Sequence, residues 1–99
     1  MRAVQLADIE AAARAVLFCA PDGQPALAAQ LIAEADLADR YRKRLRKPHT
    51  DFGTGTLMSA ASGHPQPCRL ENFDKDTLDA FACVIKALQT HLDQSNLVK

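Results

Sequence analysis

Apolar positions along the chain recur with a helical period and nowhere alternate as a half-buried strand would. Leu6, Ile9, Ala13, Val16, Leu17 and Ala20 follow the i, i+3, i+4, i+7 rule and predict a first helix over 6–19. Pro21-Asp22-Gly23 supplies its stop. Pro25 suits a first helical position, because its missing N–H would have no partner there. A second helix is predicted from 25 to 46, since nothing interrupts the pattern before Pro48. Its stripe is Leu27, Leu31, Ala35, Ala38 and Leu45, with Ile32 and Tyr41 adjoining. A short third helix over 55–62 carries Leu57, Met58, Ala60 and Ala61, and Gly63-His64-Pro65-Gln66-Pro67 ends it. Residues 63–73 read as extended, because each proline pushes its predecessor away from helix. A last helix over 74–92 has the cleanest stripe: Leu78, Phe81, Ala82, Ile85, Leu88 and Leu92.

Composition sharpens this pattern into a fold class. Eighteen alanines and twelve leucines stand against three isoleucines and four valines, and the first two residues lead the helix scale. The expectation is an all-α bundle of four helices, forming a single domain over 1–99. Alanine-rich stripes let helices approach closely but bury little area each, so a homodimer pooling two thin cores is one expected solution.

Twelve basic and twelve acidic residues give zero net charge, which excludes a uniformly basic nucleic-acid protein and an acidic tail. The charges are nevertheless unevenly placed. Arg40, Arg42, Lys43, Arg44, Arg46 and Lys47 put half the positive charge into eight positions at the end of the second helix. Eight helical positions wrap more than two turns, so they form a collar, with Leu45 and Tyr41 expected to turn inward. Two readings stand open. Cations stabilise a helix C-terminus, and Asp36–Arg40 and Asp39–Lys43 are favourable i, i+4 pairs. Alternatively, arginine's planar fork suits phosphate, and the collar contacts nucleic acid or another anion.

Asp51-Phe-Gly-Thr-Gly-Thr-Leu57 follows the collar. Gly53 and Gly55 permit positive φ, Thr54 and Thr56 can cap the third helix, and amides at a helix start attract anions. Gly53, Thr54, Gly55 and Thr56 therefore join the collar as a candidate anion site. The competing reading is a tight turn in which Phe52 plugs the core and a threonine caps the helix.

Other chemistry is sparse. His49, His64, Cys68 and His91 lack the paired spacing of a structural zinc site, so no metal and no cofactor are expected. Cys19 and Cys83 lie on predicted helices as small apolar residues. Asp76 and Asp79 sit in a first turn, where they complement the helix dipole. No nucleophile has a positioned base, so a non-enzymatic protein is expected. Three cysteines at unrelated spacings point to a reducing cytoplasm, and no apolar run approaches membrane-spanning length.

The stretches Glu34-Ala-Asp-Leu-Ala-Asp-Arg-Tyr-Arg-Lys-Arg44 and Phe52-Gly-Thr-Gly-Thr-Leu-Met-Ser-Ala-Ala61, with Leu6-Ala-Asp-Ile-Glu-Ala-Ala-Ala-Arg14, resemble a small uncharacterised protein family of marine and photosynthetic alphaproteobacteria. That resemblance implies a bacterial cytoplasmic protein and carries over no catalytic residue. It concentrates on the collar and the Gly-Thr turn, implying that these form one site. The function expected from the sequence is anion or nucleic-acid binding; the alternative is a helical adaptor for a protein partner.

Overall fold

A computed structural model of the chain describes residues 1–66 and 72–98, with side chains as far as 94. Four α-helices follow one another: α1 (Leu6–Leu17), α2 (Gln24–Leu45), α3 (Leu57–Ala61) and α4 (Lys75–Val98), with a 3-10 turn at Pro21–Gly23. No strand occurs among the described residues; the one β-type pairing is an isolated bridge between His49 and Gly53. The all-α bundle expected from the periodicity is the fold observed. None of the described helices is long and apolar enough to cross a membrane.

Local chemistry sets the helix ends. Gln5 is extended, and its amide donates to the Asp8 carboxylate at 2.8 Å, fixing the entry to α1. The second oxygen of Asp8 accepts from the amide of Met58 at 3.0 Å, so one buried carboxylate satisfies donors at the starts of both α1 and α3. Thr56 caps α3 through its hydroxyl, which accepts from the Ser59 amide at 3.1 Å. Asp74 does the same for the start of α4, accepting from the Thr77 amide at 2.9 Å. That bond, with the Thr77 side chain, holds the Asp74 carboxyl below its ordinary pKa. Nothing after Leu92 breaks the helix, and α4 continues beyond the predicted end.

α1 and α2 are antiparallel. Gln24 bonds the Cys19 carbonyl at one end of the pair, while Met1 reaches Asp36 and Asp39 at the other. α3 packs across that second end against both helices, and α4 lies along both. The core between them is made of small side chains. Eight of its fourteen residues are alanines, and Leu31, Leu57, Val16 and Val84 are the largest that are fully enclosed.

Several stripe residues do not point where their spacing suggested. Leu6 is 80% exposed, and Leu45, Leu78, Ile85 and Leu92 also face outward. The buried line of α4 is instead Thr77, Ala80, Val84 and Leu88. On a helix whose apolar arc is this wide, the alanine edge permits the closest approach of neighbours, and the larger residues are displaced to the flank. Residues 64–66 and 72–74 are irregular, in keeping with the extended reading of 63–73, of which 67–71 lie outside the described residues.

The inward and outward assignments are separable by truncation. Leu31→Ala should cost about 3 kcal/mol of unfolding free energy, as buried leucine truncations do, whereas Leu6→Ala should cost less than about 0.5 kcal/mol. Chemical denaturation of both variants, with equal losses as the contrary result, checks this.

Candidate functional site

The collar is organised by an acid. Asp39, in the eighth position before the end of the cluster, is only 3% exposed. Its Oδ1 accepts from Arg42 Nη2 at 2.9 Å, and its Oδ2 meets Lys43 Nζ at 3.2 Å and the Met1 α-ammonium at 3.3 Å. The ammonium also binds Asp36. Burial raises the Asp39 pKa, but the bonds from Arg42, Lys43 and the ammonium outweigh it and hold the carboxyl at about 2. Burial likewise works against Asp36, where the ammonium, His91 and Arg40 leave the pKa below its ordinary value. Arg42 and Lys43 thus bend back over their own helix, and two of the six collar cations share the Asp39 carboxylate.

The Gly-Thr turn packs on the same carboxylate. Gly55 has φ +96°, and a Cβ placed on it would lie 2.7 Å from the Asp39 Cα. Its carbonyl accepts from the Arg2 amide at 2.8 Å, so the N-terminal segment, α2 and the turn meet at one point. Gly53 has φ +83°, and a Cβ there would strike Ser59 at 2.7 Å. The Gly53 amide donates to the His49 carbonyl at 3.2 Å and that of Thr54 to Ser59 Oγ at 3.2 Å. These donors are committed within the turn, and behind Gly55 stands Asp39. The geometry of Gly53, Thr54, Gly55 and Thr56 is that of a clamp between α2 and α3.

Arg46 closes α2 in the left-handed conformation, φ +57°, with its amide bonded to the Arg42 carbonyl at 2.7 Å. The reversal carries the chain back so that His49 meets Tyr41 edge-on, with ring centroids 4.8 Å apart. Phe52 stacks on His49 at 4.8 Å, its plane within 8° of parallel. Phe52 is therefore half-buried in an aromatic stack rather than plugging the core. His49 Nδ1 accepts from the amides of Asp51 and Phe52 at 3.0 and 3.2 Å, which places the ring proton on Nε2.

At this end of α2, Arg40, Arg44, Arg46 and Lys47 are exposed, and the last three make no ion pair among the described residues. Arg40 and Arg44 share one face with Leu37, Tyr41 and Leu45, around a shallow hollow of about 460 Å³. Leu45, expected to turn inward, forms part of this outer face because Ala38 and Asp39 occupy the inner one. The sequence shows the cations but not their division. Met1 and Arg2 have no sequence signature as partners of Asp36, Asp39 and Gly55, and the His49-x-x-Phe52 spacing was the only cue to the stack.

The remaining candidates do not converge. His64 Nε2 lies 2.8 Å from Glu34, His91 lines a separate groove of about 690 Å³ between α2 and α4, and Cys19 and Cys83 are free thiols. Cys68 lies outside the described residues. Among those described, no three His, Cys, Asp or Glu side chains are placed to hold a metal.

In comparisons with known proteins, residues 2–88 match a family described as a domain of unknown function (DUF7742). No curated protein and no solved structure matches the chain.

The Asp39 cluster has a pH signature. Its folded pKa lies below the unfolded value, so the stabilisation is complete above the ordinary carboxylate pKa and is lost as pH falls through that range toward 2. Asp39→Asn should cost about 2 kcal/mol at pH 6, and the gap from the parent protein should narrow as pH approaches 2. Urea unfolding across that range tests this, a pH-independent gap being the contrary outcome. Gly55→Ala combines left-handed strain with a backbone clash and should cost at least about 2 kcal/mol in the same assay.

Proposed function

The chain belongs to this family, and we propose that it is a non-enzymatic binding protein that holds single-stranded nucleic acid at the C-terminal end of α2. The observation that carries this reading is the splitting of the collar. Arg42 and Lys43 pair with the Asp39 carboxylate, whereas the exposed Arg40 and Arg44 share a hollow with Tyr41 of the Tyr41–His49–Phe52 cluster, and Arg46 and Lys47 follow as exposed cations. Cations that serve only to close a helix need no aromatic neighbours. Arginines next to half-exposed rings combine phosphate attraction with a surface on which bases stack, and duplex bases, already stacked, would profit less. Arg42 and Lys43, with the clamp Gly53, Thr54, Gly55 and Thr56, hold that surface in place. Arg2, exposed and anchored by its amide at Gly55, adds a further cation at this end.

In this reading the chain acts as one domain, in a reducing cytoplasm that keeps its cysteines free. A second copy of the chain is a further partner, because the thin core leaves large apolar side chains on α4 uncovered. Those same side chains favour the competing reading, an adaptor for another protein.

Fluorescence anisotropy of a labelled single strand and of the corresponding duplex, at about 50 and 200 mM salt, tests the proposal. Expected are tighter binding of the single strand, a steep loss at the higher salt, and at least a tenfold loss for Arg40→Glu combined with Arg44→Glu. No binding at the lower salt overturns it. Arg46→Gly separates charge from fold. Glycine relieves the left-handed strain and should stabilise the protein by about 1 kcal/mol, yet binding should weaken because a phosphate contact is gone.

A further inference from the structure

The groove of about 690 Å³ between α2 and α4 falls within the roughly 300–1,000 Å³ of small-molecule sites. It stays open because the side chains on its two sides are small. Ala29 and Ala33 of α2 and Cys83 and Ala87 of α4 are too short to close over it, and buried Ile32 lies beneath. The lining changes character along its length. Two turns of α2 present Pro25, Ala29, Ile32 and Ala33, all apolar, and the next two present Asp36 and Arg40. On α4, His91 stands at this charged end and Gln94 follows one turn on. Burial works against the Asp36 charge, but the Met1 ammonium, His91 and Arg40 hold its carboxyl below the ordinary pKa. The ammonium already binds that carboxylate, so Asp36 is matched from within the fold. Arg40 and Lys86 then leave the groove with an excess of positive charge. Lys86 has no acid within four residues on its helix and makes no ion pair among the described residues.

We propose that this groove binds a linear amphiphile with an anionic head, a medium-chain carboxylate. Its alkyl chain lies along Pro25, Ala29, Ile32 and Ala33, and its carboxylate meets Arg40 and Lys86, with N–H donors from His91 and Gln94. Pro25 to Arg40 spans roughly 22 Å of helix, which admits an extended chain of that class together with its head. Charge complementarity selects the sign of the head. A cationic amphiphile would set a further positive charge beside Arg40 and Lys86 and find Asp36 occupied. A protein partner lying over the groove would bury both cations and would have to supply acids for them. A ligand with one anionic end places its charge where the lining is cationic and its chain where the lining is apolar. Arg40 lines both this groove and the hollow beside Tyr41, so the decisive substitutions lie elsewhere in the groove.

Isothermal titration calorimetry of the full chain with decanoate and with decylammonium, both below their micellar concentrations, tests this. Decanoate should bind one-to-one and saturably, and decylammonium at least about tenfold more weakly. Lys86→Glu should weaken decanoate binding by at least about tenfold, and Ala33→Trp, which fills the groove, should abolish it. Both positions are exposed, so each variant keeps the helical circular dichroism spectrum of the parent. Ile85→Lys, outside the groove, should bind decanoate as the parent does. In a background with Cys19 and Cys68 changed to serine, decanoate should slow the alkylation of Cys83 by N-ethylmaleimide, because that thiol lines the groove. Neither Lys86 nor Ala33 belongs to the strand-binding surface, so the two readings fail separately. Absence of saturable decanoate binding, equal binding of decylammonium, undiminished binding by Ala33→Trp, or loss of binding in Ile85→Lys would each overturn the proposal. So would a dimer in sedimentation velocity that Ala33→Trp dissociates, since a second copy would then occupy the groove.

Discussion

The Asp39 carboxylate is the constraint on which this end of the molecule depends. A buried anion is costly unless hydrogen-bonded charges surround it, and here three cations from two parts of the chain do so. One comes from the N-terminus and two from the following turn of α2. Gly55 presses against the same residue, so the path of the connector from α2 to α3 is fixed by the need to seal that carboxylate from water. Asp8 plays a smaller version of the part at the start of α3, joining the starts of two helices through one side chain.

These acids matter because the apolar core is weak. A cluster dominated by alanines contributes little area per residue, and no aromatic ring is fully enclosed in it. Specific polar contacts at the helix ends supply the register that larger interlocking side chains would otherwise give. Several large apolar residues, left out of a core built for close helix approach, lie on the outer faces of α2 (Leu37, Leu45) and α4 (Leu78, Ile85, Leu92). Both surfaces available for recognition thus have one origin. The Leu37–Tyr41–Leu45 face lies among arginines, whereas the Leu78–Ile85–Leu92 edge is free of charge.

Within the candidate site, the sequence made the cations and the glycines visible because both are compositional features. It could not show which cations were already occupied. Asp39 to Lys43 is an i, i+4 pair that any helical reading finds, and it is present. Asp39 to Met1 spans almost the whole of α1 and α2, and its existence depends on α1 turning back antiparallel. The His49 ring was a stray histidine in the sequence. In the fold it becomes the middle of an aromatic stack, because Arg46 reverses the chain in a left-handed turn that its side chain gives no reason to expect.

The sequence by itself determined the helices, their order and their ends to within a few residues, apart from the extra turns of α4. Those features rest on local propensities, prolines, glycines and caps that act over a handful of positions. It also determined that Thr56 would be available as a cap and that the charge would be divided along the chain. Only the tertiary structure decided which edge of each apolar arc faces inward. Periodicity marks residues as apolar, whereas burial follows from how closely neighbouring helices approach, and alanine allows the closest approach. The tertiary structure likewise turned a neutral-on-average chain into one buried acidic hub with exposed arginines outside it, since electrostatic partners are chosen by distance in space rather than along the sequence.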